Sequence, residues 1–268
     1  MRVDIGSRSD VGLKRARNED CYCVLRELGL FVVSDGIGGQ AKGEIASAMA
    51  VDAVVTHCQQ ATAGPNSSLQ SHSRLSAKTR HLANAVRWAN RKIRTAATGH
   101  SAYFGMGATL VAAWLNGECL SIVNVGDSRA YMLRAGALKQ LTRDHSLAAE
   151  RARRGITTKQ EAATSTLQNV LLQALGVNDK IDVEAEDVSL QPGDVVLLCT
   201  DGLTHMVSDA EIAAALVTCE NAQRAADRLV ELASTHGGKD NITAVVLRID
   251  HNANGLLSRL CGLWGSAA

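Results

Sequence analysis

Proline and aromatic side chains are scarce in this chain of 268 residues, with 2 prolines and 3% aromatics. The core must therefore be built from Ala, Val, Leu and Ile. No apolar run reaches the roughly 20 residues that a membrane-spanning helix requires, which argues against a transmembrane segment. Neither sign of charge is in excess. The net charge is +1, so nothing in the balance points to nucleic acid or to an anionic membrane. The seven cysteines are odd in number and scattered, several inside apolar runs, which suits free thiols in a reducing cytosol. The opening Met1-Arg2-Val3-Asp4-Ile5-Gly6 does not read as a signal peptide, and the expectation is a cytoplasmic protein. What remains is ordinary for a globular chain: 46% hydrophobic and 21% charged residues, long enough to bury a substantial core.

The stretch Leu30-Phe31-Val32-Val33-Ser34-Asp35-Gly36-Ile37-Gly38-Gly39 organises the reading. Its apolar start predicts a short buried strand, with Asp35 carried at the carboxyl end. The glycines that follow let the main chain approach a ligand closely. A carboxylate beside bare backbone carbonyls suits a hard cation such as Mg²⁺ or Mn²⁺. Two other readings stand beside this one. Asp35 could cap a helix, and Gly36-Ile37-Gly38-Gly39-Gln40-Ala41 matches a dinucleotide fingerprint if strand and helix flank it.

Along the chain, strands are predicted near Val3–Ser7, Cys21–Arg26, Ala108–Leu115, Glu118–Val125, Ala130–Arg134, Ala137–Leu141, Val183–Val188, Val195–Thr200 and Ile242–Ile249. Helices are predicted at 43–59, around Leu82 to Ile93, at Glu211–Leu216 and at Ala222–Ser234. Asn116-Gly117 and Ala135-Gly136 read as hairpin turns. Residues 62–76 read as a loop, and 146–175 as short interrupted helices. Strands cluster between helix pairs and do not alternate with single helices, which predicts an α+β layered domain with antiparallel sheets. That order also counts against a dinucleotide fold, because Asp52 would lie mid-helix where the fingerprint needs an acid at a strand end.

Three further acids resemble Asp35 in placement. Asp127 and Asp201 each follow an apolar strand, and Asp240 precedes one in Gly237-Gly238-Lys239-Asp240-Asn241. Each alone reads as a capping or turn residue. Together on neighbouring strand ends they would form a cluster whose repulsion requires cations. Glu19 and Asp20, just before a strand, could join it.

The ordered set Arg15-x-x-Asn18-Glu19-Asp20, Ser34-Asp35-Gly36-Ile37-Gly38-Gly39, Gly107-Ala108-Thr109-Leu110, Val125-Gly126-Asp127-Ser128-Arg129, Thr200-Asp201-Gly202-Leu203 and Lys239-Asp240-Asn241-Ile242-Thr243 resembles the metal-dependent serine/threonine protein phosphatases. That is the PPM or protein phosphatase 2C-like family in its compact bacterial form. The resemblance implies a four-layer α-β-β-α sandwich of two antiparallel sheets flanked by helix pairs. The phosphatase domain would span 1–250, with a flap at about 144–178, followed by a short apolar tail at 251–268. It implies a site for two Mn²⁺ or Mg²⁺ ions, with a possible third at Asp127. By position, Asp35 would bridge two ions, the Gly36 carbonyl would bind one, and Asp201 and Asp240 the other. Asp20 would act in or near the metal shell with Glu19, Arg15 would grip the substrate phosphate, and Asn241 would support them. Water activated by the ions would hydrolyse phosphoserine and phosphothreonine in one step, opposing a Ser/Thr kinase. Many relatives carry a histidine after the Asp-Gly; this chain has Ile37 and Gln40 there, and a water near Asp127 becomes the candidate proton donor.

The alternatives are a phosphatase of small phosphate esters or of a phosphorylated regulator, and a silent sensing domain of the same fold. Several motifs are set aside. His57-Cys58 lacks the arginine that a cysteine phosphatase needs six residues later, where Gly64 stands. Residues 36–42 lack the Gly-Lys-Ser/Thr of a P-loop. Cys21-x-Cys23 reads as packing, Asp144-His145 as structural or gating, and the tail as a segment that packs back or docks on a partner.

Overall fold

A computed structural model describes residues 1–38, 42–63, 74–163 and 165–250. In chain order, β1 (Arg2–Asp10), β2 (Cys21–Leu25), β3 (Leu30–Ser34) and the two-residue β4 (Gly36–Ile37) come first. Two long helices follow, α1 (Lys42–Ala63) and α2 (Ala77–Gly99). Then come β5 (Gly107–Ala108), β6 (Leu110–Asn116), β7 (Cys119–Val125), β8 (Arg129–Arg134) and β9 (Ala137–Gln140). The flap carries α3 (Leu147–Arg153) and α4 (Lys159–Ala163). The chain then forms β10 (Glu184–Ser189), β11 (Val195–Cys199), α5 (Asp201–Thr204), α6 (Asp209–Thr218), α7 (Ala222–Thr235) and β12 (Ile242–Asp250). No helix among these is long and apolar enough to cross a membrane.

The strands form two five-stranded sheets, ordered β1-β12-β11-β8-β9 and β10-β7-β6-β3-β2, with β4 and β5 pairing separately. Every pairing is antiparallel. This order excludes the dinucleotide fold, and Gly36-Ile37 continues into a strand where the fingerprint would open a helix.

Why the central strands are apolar at every position follows from where their two faces go. In β3, Phe31 and Val33 face the other sheet, where with Val111 of their own sheet they meet Val196, Leu198 and Val245. Leu30 and Val32 face the opposite way, onto Ala46, Ala50, Leu82 and Val86 of α1 and α2. The second sheet divides likewise: Val195, Leu197 and Val246 lie under Leu216, Leu229 and Val230 of α6 and α7. Three apolar seams therefore separate four layers, in the order helices, sheet, sheet, helices. Ala, Val and Leu fill them, as the shortage of aromatics requires.

The hairpins show how turn chemistry sets register. Arg134 pairs with Ala137, so Ala135-Gly136 is the two-residue loop. Both have positive φ, 49° and 80°, as a type I′ turn demands. The other hairpin sits one residue later than Asn116-Gly117 suggests. Asn116 pairs with Cys119, and the loop is Gly117-Glu118, because Gly117 alone takes positive φ there. The helix begun at Lys42 runs on to Ala63, shortening the predicted loop. The strand predicted from Ala108 breaks at Thr109, for a reason that belongs to the site below.

Ala135 is the one non-glycine with positive φ among the described residues, and it is exposed. Asn tolerates that region better than Ala, and Asn-Gly is the favoured pair for this turn. Ala135→Asn is therefore expected to raise the unfolding free energy by about 0.5–1 kcal/mol. Urea denaturation checks it.

Candidate active site

The two sheets supply the acids from opposite sides of one rim. Asp35 follows β3 and Asp127 follows β7, in one sheet. Asp201 follows β11 and Asp240 precedes β12, in the other. They line a single cleft of about 840 Å³, together with Arg15, Glu19, Gly36 and Asn241.

Local chemistry fixes each one. The Ser34 hydroxyl donates to the Thr109 carbonyl at 2.6 Å, and the Asp35 N–H donates to the Thr109 hydroxyl at 3.1 Å. The Thr109 N–H in turn donates to the Asp35 carbonyl at 2.8 Å. These bonds divert Thr109 from the ladder and break the predicted strand into β5 and β6. Thr109 also meets the Ser128 hydroxyl at 2.7 Å, which ties the Asp35 turn to the Asp127 loop. At Gly36 a Cβ would overlap the Gly43 carbonyl, so only glycine lets the chain pass beside the start of α1. At Gly202 a Cβ would overlap the Asn241 carbonyl, and its absence lets the Asp201 turn press against the Asp240 loop.

Asp20 sits beneath the cluster, where the Thr200 and Thr243 hydroxyls both donate to its Oδ2, at 2.9 and 2.7 Å. Its Oδ1 is buried and has no protein partner, and the same holds for Asp201 Oδ1. Asn241 spends its side chain on backbone: it accepts from Glu19 N–H at 2.8 Å and donates to the Val11 and Arg17 carbonyls at 2.9 and 2.8 Å. It thereby holds the loop from which Arg15 reaches Asp240, at 2.7 Å. Glu19 lies against Gly43 at the edge of the cleft.

Electrostatics mark the cluster as strained. Burial, then the charges of Asp20, Asp201, Asp127 and Asp240, push the Asp35 carboxyl well above the usual range. Burial and then Asp201 and Asp144 do the same for Asp127. Asp201 is also raised, by burial first, while His205 opposes the shift. Burial raises Asp20 to about 7, although its two threonine donors pull the other way. Arg15 is held more firmly protonated by its bond to Asp240.

Crowded carboxylates with orphaned buried oxygens, beside the backbone of Gly36, form an all-oxygen donor set that fits hard divalent cations. Among the described residues no three acidic, histidine or cysteine side chains close on one point as a cage.

Asp20, Asp35, Gly36, Asp127, Asp201 and Asp240 are thus brought together with Arg15, and Glu19 and Asn241 flank them. Gln40 lies outside the described residues; Ile37 lines the cleft. Sequence reasoning missed His205, whose Nδ1 is 3.4 Å from Asp201 Oδ2; its spacing of four on a helical turn was the available signal. It also missed the threonines at 200 and 243, whose hydroxyls look like ordinary strand residues. The remaining motifs are structural. Asp144 is bound by Arg129 at 2.7 Å and by Gln140 at 2.8 Å, and His145 is pinned to Gly126. Cys21 and Cys23 pack against the α1 and α2 layer. Cys58 is buried, its thiol pushed up to about 12 by that burial, which leaves it inert.

An antiparallel double sheet with an acid cluster and an arginine paired to it at one end matches the metal-dependent phosphatase architecture. Residues 15–242 match the family described as Protein phosphatase 2C, and the chain belongs to that family. It is 36% identical over 251 residues to the serine/threonine phosphatase stp of Listeria monocytogenes, spanning 92% of this chain and 96% of that protein. The catalytic domain of the serine/threonine protein phosphatase PstP, in complex with 2 manganese ions, superposes with a TM-score of 0.80 at 33% identity, covering 93% of this chain and 99% of that one. Stp1 from Staphylococcus aureus gives 0.83 at 28% identity, covering 94% and 96%.

The Asp20 shift carries a sign that can be measured. Without a cation, the folded chain keeps a proton on Asp20 up to about 7, whereas an unfolded carboxyl releases it near 3.8. The folded state binds more protons across that window, so this contribution to stability is lost as pH rises through it. In EDTA, Asp20→Asn should flatten the fall of the thermal midpoint between about pH 5 and pH 8. An identical slope in the variant would contradict the assignment.

Proposed function

We propose that the chain is a serine/threonine phosphoprotein phosphatase that takes two Mn²⁺ or Mg²⁺ ions. The observation that carries this reading is the cluster of Asp20, Asp35, Asp201 and Asp240, in which the buried Oδ1 atoms of Asp20 and Asp201 have no protein partner. The two manganese ions in the PstP catalytic domain support the count. When bound, such ions supply a water acid enough to attack phosphorus and offset charge on the phosphoryl oxygens.

The chain's own residues do the rest. Asp35, the Gly36 carbonyl, Asp201 and Asp240 would hold the two ions. Asp20 and Glu19 complete the oxygen set from below and from the side. Asp127, with Asp201, would hold a third ion. Arg15 leaves Asp240 to fork two phosphate oxygens, a task its planar guanidinium suits. Asn241 keeps the Arg15 loop in reach through its bonds to the Val11 and Arg17 carbonyls. Direct displacement requires no nucleophilic side chain, and the inert Cys58 agrees with that.

The reading extends to a cytoplasmic signalling role in which phosphoproteins made by a Ser/Thr kinase are reset. It assigns catalysis to residues 1–250, with the flap over 144–178. The tail at 251–268, which lies outside the described residues, takes a docking role on a partner.

Purified protein should hydrolyse a phosphothreonine peptide with Mn²⁺, stop with EDTA, and lose at least about 100-fold in kcat in Asp201→Asn, since charge stabilisation of the transition state depends on the ions that residue holds. Phosphate release measured under the three conditions checks it. No release under any condition would contradict the reading.

A further inference from the structure

Part of the cleft lining is aliphatic. Ile37, Leu171, Leu172, Ala174 and Val177 line it together with Arg15 and the acids, with Asn169, Gln173 and Asn178 interspersed. Leu172 and Val177 are 43% and 54% exposed, although aliphatic side chains beside a charged floor gain nothing from water. Isolated exposed aliphatics are common; a contiguous group at the rim of a polar site is the kind of patch that binds.

The shelf is also held rigidly. Leu175 and Ala108 exchange backbone hydrogen bonds at 3.0 and 2.8 Å, and Ala108 pairs with Gly36, directly after Asp35. The Gly176 N–H donates to the Asn90 side chain at 2.8 Å, and Asn90 donates to the Asn178 carbonyl at 3.0 Å. Arg94 donates to the Val177 carbonyl at 3.2 Å. At the other end, the Leu172 N–H donates to the His145 carbonyl at 2.7 Å. The shelf is therefore registered to Asp35 through two short backbone ladders, and a ligand on it pays little ordering cost.

We propose that this shelf is a specificity pocket for a bulky aliphatic side chain close in sequence to the phosphorylated residue of the substrate. The proposal rests on the phosphatase reading above. Its occupant follows from continuity: the shelf and the acid cluster share one cleft, so a phosphoprotein segment that delivers phosphate to Arg15 lays its neighbouring residues across this shelf. An aliphatic neighbour covers Leu172 and Val177, which otherwise stand open to water.

The test uses the full chain with Mn²⁺ and two phosphothreonine peptides that differ only in carrying leucine or serine at the flanking positions. The leucine peptide is expected to show kcat/KM about tenfold higher, the scale that partial burial of one aliphatic side chain supplies. In a Leu172→Ser, Val177→Ser double variant the ratio should collapse towards about one, while Leu172→Met, which keeps the apolar surface, should retain it. Equal kcat/KM for the two peptides, or a ratio unchanged in the double variant, overturns the proposal. Hydrolysis of p-nitrophenyl phosphate separates the two levels. Its turnover without peptide preference removes the shelf alone, and no turnover of any of the three substrates removes the phosphatase reading with it.

Discussion

The structure depends on a repulsion it does not resolve by itself. Asp20, Asp35, Asp127 and Asp201 are driven above the usual carboxylate range by burial and by one another, while Arg15 pairs with the cluster at Asp240 and Arg129 acts on Asp127 and Asp201 from nearby. A fold bears such a cost only where the surrounding scaffold is rigid enough to impose it. Here the scaffold is the pair of sheets, each buried on both faces, whose strand ends cannot move apart without opening an apolar seam.

That constraint explains the division of labour. Each sheet holds half of the cluster, so the site exists only when the two are stacked in register. Uncharged groups then set its geometry. Thr109 and Ser128 lock the Asp35 turn to the Asp127 loop, and Thr200 and Thr243 hold Asp20 from the other sheet. Asn241 is committed to backbone, so the loop that carries Arg15 is placed by its bonds to Glu19, Val11 and Arg17. The aliphatic stretch beside the acids is fixed through the same Gly36–Ala108 pairing, which ties it to the element that carries Asp35.

Much of this was legible in the sequence for physical reasons. A strand buried on both faces must be apolar throughout, so Leu30 to Val33 and Val195 to Cys199 announced themselves, and the acids after them marked the rim. What escaped was whatever depends on partners distant in the chain. Nothing local to Thr109 shows that its hydroxyl will accept from Asp35 and interrupt a strand. Asn116-Gly117 looks like a turn, yet cross-strand pairing shifted the loop to Gly117-Glu118. His205 was hidden in a helical turn of four residues, too short to show a period.

The central claim is that the acid cluster is an incomplete shell for divalent cations. Calorimetric titration of Mn²⁺ into the metal-free full chain tests it most directly, alongside Asp35→Asn. The account predicts two ions per chain and a variant that loses the ion pair as a unit, because Asp35 reaches both positions. No heat of binding in the unaltered chain, or an undiminished stoichiometry in the variant, would contradict it.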